Sequence, residues 1–169
     1  VLDLDNTLWG GIIGEDGLDG IQLGPDIKGR PFMEFQHQIL SLYNRGVILA
    51  INSKNNLDEA IDAIRNHPYM VLKENHFAAI RINWNDKVSN LRSLSDEINI
   101  GLDSIVFIDD NPAERERVKG AFPEILVPDW PEDSANFVNA LRELNCFDTP
   151  IVSNEDRSRT SMYVAQRER

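Results

Sequence analysis

Short unbroken apolar runs alternate along this chain with stretches whose apolar residues recur at helical spacing. The runs are Val1-Leu2, which continues to Leu4 around Asp3, then Val47–Ile51, the weaker Phe77–Ile82, Ile105–Ile108 and Ile125–Val127. Between them, Phe32, Phe35, Ile39, Leu42 and Tyr43 follow Pro31 on one helical face, ended by Gly46. Leu57, Ala60, Ile61 and Ile64 mark a second helix, closed by Pro68. Val88, Leu91, Leu94 and Ile98 mark a third, with Asp86 placed to cap its start and Gly101 beyond its end. Asn111, Pro112 and Glu114 fit Ncap, N1 and N3 of a fourth, a capping-box-like start. Residues Glu132 to Leu144 form a last helix, with Phe137, Val138, Leu141 and Leu144 inward. Strands alternating with helices of this length imply βαβ units and a mostly parallel sheet with both faces covered. The expected fold is a three-layer α/β/α, Rossmann-like domain over residues 1–150, built on a mostly parallel five-stranded sheet.

Two segments break the alternation. Residues 10–24 hold six glycines, and short apolar pieces flank Gly14-Glu15-Asp16-Gly17, a pattern that predicts a small β-hairpin flap. Residues 151–169 are mostly polar, and read as a linker or exposed helix leading to a further domain. Only two residues precede Asp3, fewer than an ordinary strand, so the first strand reads as cut and the chain as part of a longer protein.

Composition narrows the function classes. At 169 residues, 41% hydrophobic and 27% charged, the chain suits one globular domain with a real core. Its net charge of −11 argues against nucleic acid and anionic membranes as partners, while leaving room for a small anion held by local cations. No apolar run approaches a membrane span. A single cysteine, Cys146, forbids an internal disulfide and suits a reducing, cytoplasmic setting; it is expected to serve packing. His37, His67 and His76 show no ligand spacing.

The chemistry collects where strands end. Asp3 and Asp5 stand at i and i+2, which places both on one face of a strand. Two adjacent carboxylates repel unless a cation or a shared proton relieves them. Ligands of parallel α/β sheets bind outside the carboxyl ends of the strands. The second strand ends there with Asn52 and Ser53 and the fourth with Asp109 and Asp110, while Lys87 opens the helix after the third. Four carboxylates, a hydroxyl and an ammonium are the inventory of phosphoryl transfer through a covalent intermediate. One carboxylate attacks phosphorus, a second moves protons, and Mg²⁺ offsets repulsion between anions. The hydroxyl and ammonium hold the phosphoryl oxygens. Lys54 competes with Lys87 for that last place. An EF-hand-like calcium loop starting at Asp3 is excluded, because its sixth position is Leu8 rather than glycine.

These residues carry a resemblance. Asp3-Leu4-Asp5-Asn6-Thr7 resembles the D-x-D-x-T first motif of the haloacid dehalogenase-like (HAD) superfamily. Ser53 resembles its second motif, Lys87 its third and Asp109-Asp110 its acidic fourth. The stretches Leu2–Gly17, Asn83–Asn90 and Phe107–Arg115 look like subfamily IIIC, the FkbH-like domains. The tail with Glu155-Asp156, Arg159 and Met162-Tyr163 is similar to the segment that follows this domain in those proteins. The resemblance implies Asp3 as the nucleophile that becomes an aspartyl-phosphate and Asp5 as the general acid/base. It implies Mg²⁺ on the Asp3 and Asp110 carboxylates and the Asp5 carbonyl, with Asp109 beside it or as an alternative ligand. Ser53 and Lys87 would bind phosphate, and Thr7 would support the loop. The spacing between the second and fourth motifs leaves no room for a large cap, so the flap at 10–24 is the nearest candidate cover.

Three functions follow as expectations. The first is a Mg²⁺-dependent phosphohydrolase or phosphotransferase acting on a small phosphorylated metabolite. The second, implied by the FkbH-like resemblance, takes a glyceryl unit from 1,3-bisphosphoglycerate and loads it onto an acyl-carrier protein. The third is a non-catalytic metal-binding assembly domain, against which the joint presence of Asp3, Asp5, Ser53 and Lys87 argues.

Overall fold

The computed structural model describes residues 1–147 and 154–168. Two strands, β1 (Leu49–Lys54) and β2 (Phe77–Asn83), pair in parallel. Isolated parallel bridges continue this arrangement: Leu2 pairs with Ile51 on one side and Ile108 on the other, and Val106 pairs with Leu126. The apolar runs around Leu2, Ile108 and Leu126 therefore sit where three further strands were expected. They meet their neighbours only through single bridges, so the regular ladder has two strands rather than five. In the first run the chain turns at Asn6 soon after Asp3, whose N–H still bonds the Ile108 carbonyl, and Val127 is followed at once by Pro128, which has no N–H to donate.

Seven α-helices surround the strands among the described residues: α1 (Ile13–Gly20), α2 (Arg30–Asn44), α3 (Leu57–Asn66), α4 (Lys87–Ile98), α5 (Pro112–Ala121), α6 (Phe137–Arg142) and α7 (Asn154–Arg167). Alternate strand residues enter two different cores. Leu2, Leu49, Ile51 and Ile108 join Phe35 of α2, Ile64 of α3 and Phe137 of α6. Ala50 and Phe107 join Leu91 and Leu94 of α4 and Val118 of α5. This period of two is what a pleated strand imposes, and it puts helices on both faces.

Most helix boundaries follow from their sequence signals. The Asp86 carboxylate accepts the Ser89 N–H at the start of α4, and Asn111 accepts the Ala113 N–H at the start of α5, where Pro112 stands at N1. Glu114 does not complete a capping box. Its Oε1 pairs instead with Lys54 Nζ at 3.1 Å and Arg117 at 3.2 Å. The final helix is shorter than its apolar pattern suggests, because residues Ser134–Asn136 tighten into a 3₁₀ turn before α6. Leu57 begins α3 but lies half in solvent.

The glycine-rich arm differs most from expectation. It is not a hairpin. One antiparallel bridge, Gly10 to Gln22, closes its base, and α1 fills the space between. The reason is local: the Asp16 carboxylate accepts the Ile12 N–H at 2.8 Å, while the Ile12 carbonyl accepts Glu15 and Asp16 N–H groups. Side-chain and backbone acceptors together wind these residues into a helical turn before a ladder can form. At the other end of the chain, α7 lies against β2. Its Tyr163 packs on the second core, and the Arg167 guanidinium donates to the Phe77 and Glu74 carbonyls. The residues that would join α6 to α7, 148–153, lie outside the described set.

Candidate active site

Leu2 is held between neighbours by Leu2 N–H to the Ala50 carbonyl and Asn52 N–H to the Leu2 carbonyl, each 2.9 Å. That clamp brings Asp3 to the edge of the sheet beside the ends of β1 and the Ile108 run. The chain then leaves the strand, and Asn6 adopts a left-handed conformation (φ 57°), which asparagine tolerates better than most residues. Its side chain accepts the Gly11 N–H at 2.8 Å and closes the turn.

Asp3, Asp109 and Asp110 converge, each offering a carboxylate oxygen within 4.8 Å of the others. Lys87 Nζ stands 2.5 Å from Asp109 Oδ2 and 3.2 Å from Asp3 Oδ1. Asp3, Asp109 and Lys87 are all buried. Three carboxylates against one ammonium leave two formal negative charges in a confined space, a donor set of hard oxygens that suits a divalent cation. Burial pushes the Asp3 carboxyl well above the usual carboxylate range; Lys87 pulls it back, and Asp109 and Asp110 push it up again. Burial likewise raises Asp110, which shares a hydrogen bond with Asp3. Burial alone would lower the Lys87 ammonium, but Asp3 and Asp109 more than offset this and leave it raised. The crowding of acids expected for Asp3 with Asp5 falls instead on Asp3, Asp109 and Asp110.

Asp5 is not in that cluster. Its carboxylate accepts from Trp9 Nε1 at 3.0 Å, Ile13 N–H at 2.9 Å and Asn55 Nδ2 at 2.9 Å. Simple strand alternation would put Asp3 and Asp5 side by side; the turn through Asn6 gives Asp5 its own partners instead. Ser53 is buried at the end of β1, and its Oγ accepts from Asn55 at 3.1 Å. Thr7 donates to Asp110 Oδ1 at 3.4 Å, tying the first motif to the fourth. Lys54 points away to Glu114, which leaves Lys87 as the cation at the acidic cluster.

Asn90, Arg115 and Asn55 contribute without any motif to mark them in the sequence pattern. Asn52 donates to the Lys87 carbonyl at 3.0 Å, and Asn90 donates to Asn52 and Asn83, so a buried amide network fixes the start of α4. The Arg115 guanidinium donates to the Asp109 and Asp110 carbonyls at 3.0 Å each and braces their loop. Asn55 joins two predicted residues. The asparagine-rich run at the end of β1 is the available signal, since Asn52 and Asn55 are buried there and their amides need polar partners. His37 is exposed, while burial lowers His67 and His76, and neither approaches the cluster. Cys146 is exposed in a turn after α6.

A family model described as NIF, NLI interacting factor-like phosphatase, matches residues 1–147. The chain belongs to this family. The NLI interacting factor-like phosphatases are HAD-like phosphatases, so the superfamily resemblance and the enzyme class both hold. The chain is also similar to the N-terminal part of the protein BF1531 from Bacteroides fragilis, solved as containing a phosphatase domain complexed with Mg. The two share 45% identity and a TM-score of 0.85 over 88% of this chain. This chain spans about 40% of that one. No curated protein matches it. No helix among the described residues is long and apolar enough to cross a membrane.

Proposed function

We propose that this NIF-like phosphatase domain is a Mg²⁺-dependent phosphohydrolase that works through an aspartyl-phosphate on Asp3. The observation that carries the reading is the cluster of Asp3, Asp109 and Asp110 around Lys87 at the carboxyl ends of the strands. The Asp3 and Asp110 carboxylates would hold Mg²⁺, with Asp109 kept by Lys87 and the Asn111 N–H at the edge of the site. The ion would supply the positive charge that lets a phosphate dianion approach three carboxylates. A carboxylate oxygen of Asp3 attacks phosphorus as the ester P–O bond breaks, and Asp5 gives its proton to the leaving oxygen. Asp5 then takes a proton from the water that attacks the aspartyl-phosphate, and Asp3 is regenerated. Ser53 and Lys87 hold the phosphoryl oxygens.

Between β1 and Asp109 the chain spends its length on α3, β2 and α4, with no inserted domain. The arm carrying α1 reaches the site through the Ile13 N–H on Asp5 and is the element able to cover a small substrate. A small phosphorylated metabolite fits this capless arrangement. Cys146 takes no part in this site. It lines a cavity of about 740 Å³ with Gly46, Val47 and Ile105, at the amino ends of the strands and away from the acidic cluster. The finer assignment to FkbH-like domains rests on the sequence stretches given above. Phosphate release from small phosphate esters tests the reading. It should require Mg²⁺ and vanish in Asp3→Asn; full activity in that variant would refute Asp3 as nucleophile.

A further inference from the structure

Resting on that reading, we infer that Asn55 is a positioning residue that holds the less occupied oxygen of Asp5, Oδ2, and the Ser53 hydroxyl at one common geometry toward substrate. The two oxygens of Asp5 are unequally committed. Oδ1 accepts two hydrogen bonds, from the Trp9 indole and the Ile13 N–H, while Oδ2 accepts one, from Asn55. A carboxylate oxygen has two lone-pair directions. Oδ1 is filled, and Oδ2 keeps one free.

The Asn55 amide is itself fixed. Its NH₂ end faces Asp5 Oδ2, and its second hydrogen goes to Ser53 Oγ. The Ser53 hydroxyl, accepting from Asn55, then has its own hydrogen free for a phosphoryl oxygen. Asn55 is 3% exposed, so no water competes freely for these bonds, and Trp9 is fully buried behind Asp5. One side chain thus sets the proton donor and the phosphate donor at a common geometry. In the first half-reaction the proton on Oδ2 passes to the leaving oxygen as its bond to phosphorus breaks and the Asp3–phosphorus bond forms. In the second, Oδ2 takes a proton from water as that water bonds to phosphorus and Asp3 leaves.

The test is leaving-group dependence. An alkyl phosphate needs a proton on its departing alkoxide, whereas p-nitrophenyl phosphate expels a stabilised phenolate without one. Values of kcat/KM would be measured for both substrates with Mg²⁺ on the full chain, Asn55→Ala, Trp9→Phe and Asp5→Asn. General acid catalysis is worth about 10²–10⁴-fold. Asn55→Ala should therefore lose roughly 10–100-fold more on the alkyl substrate than on the aryl one, with Asp5→Asn giving a still larger ratio. Trp9→Phe, which touches Asp5 but not Ser53, should slow only the alkyl reaction, by about 10-fold on the same scale. The ratio is taken within one preparation, so a partly unfolded variant cancels. Equal losses on both substrates in Asn55→Ala and Trp9→Phe would overturn the inference. If Asp3→Asn is inactive in that case, the aspartyl-phosphate reading still stands; if Asp3→Asn is active, that reading is what fails.

Discussion

Lys87 holds together charges that otherwise repel. Its ammonium lies within 3.2 Å of both Asp3 and Asp109 in a site nearly closed to water. Breaking a buried ion pair by removing one partner costs about 3–5 kcal/mol, because the remaining charge stays buried. Lys87→Met should therefore destabilise the metal-free protein by about that much, as read by urea unfolding. It should also cut phosphate release by roughly 10²–10³-fold, as losing one preorganised donor does elsewhere. Added Mg²⁺ should recover part of the stability and none of the rate. Most residues of this site are legible in sequence by their place: Asp3, Ser53, Asp109 and Asp110 stand where an apolar run stops, and Lys87 opens the helix after the third. The partners of Asp5 were not legible. They depend on the left-handed turn at Asn6 and on how the α1 arm folds back, and neither is encoded by alternation.

At the scale of elements, the site is mounted on helix starts. Asn111 caps α5 directly after Asp109-Asp110, and its backbone N–H donates to Asp109 Oδ1 at 2.9 Å. Asn111→Ala should cost about 1 kcal/mol of stability, the usual value of an N-cap. Chemical denaturation would check this, and an unchanged midpoint would show that Pro112 alone defines the helix start. The helices themselves were readable because their apolar residues recur every three or four positions and caps stand at their ends. The hairpin that the sequence predicts for the α1 arm does not form, for a physical reason. Its glycines signal tight turns equally well in a hairpin or in a kinked helix, and Asp16 decides between them through its bond to the Ile12 N–H. The sheet was legible as five runs but shows only one regular pair, since single bridges suffice where flanking residues turn away.

Across the whole molecule, the two cores fix a site whose charges are unbalanced without a cation. Burial holds Asp3 and Asp110 above their ordinary value of 3.8, so the native state keeps protons the unfolded chain has released. The sign follows: this contribution is complete below that ordinary value and is lost as pH rises through the raised native values. Metal-free protein should lose stability on moving from acid toward neutral pH as far as these groups govern it, and Mg²⁺ should offset the loss. At a concentration about 100 times its Kd, a bound ion adds about 2.7 kcal/mol. That corresponds to roughly 5–10 °C in Tm for a domain of this size. Asp110→Asn should shrink the shift, and its absence in the intact chain would contradict the metal assignment.

The most direct measurement is to trap the covalent intermediate. The protein, Mg²⁺ and a phosphate-labelled donor with a good leaving group, such as acetyl phosphate, would be mixed, quenched in acid within one turnover and digested. The account predicts acid-stable, hydroxylamine-sensitive label on the peptide that carries Asp3, more of it in Asp5→Asn, where hydrolysis is slowed, and none in Asp3→Asn. Label that persists in Asp3→Asn, or turnover with no label in either the intact chain or Asp5→Asn, would contradict it.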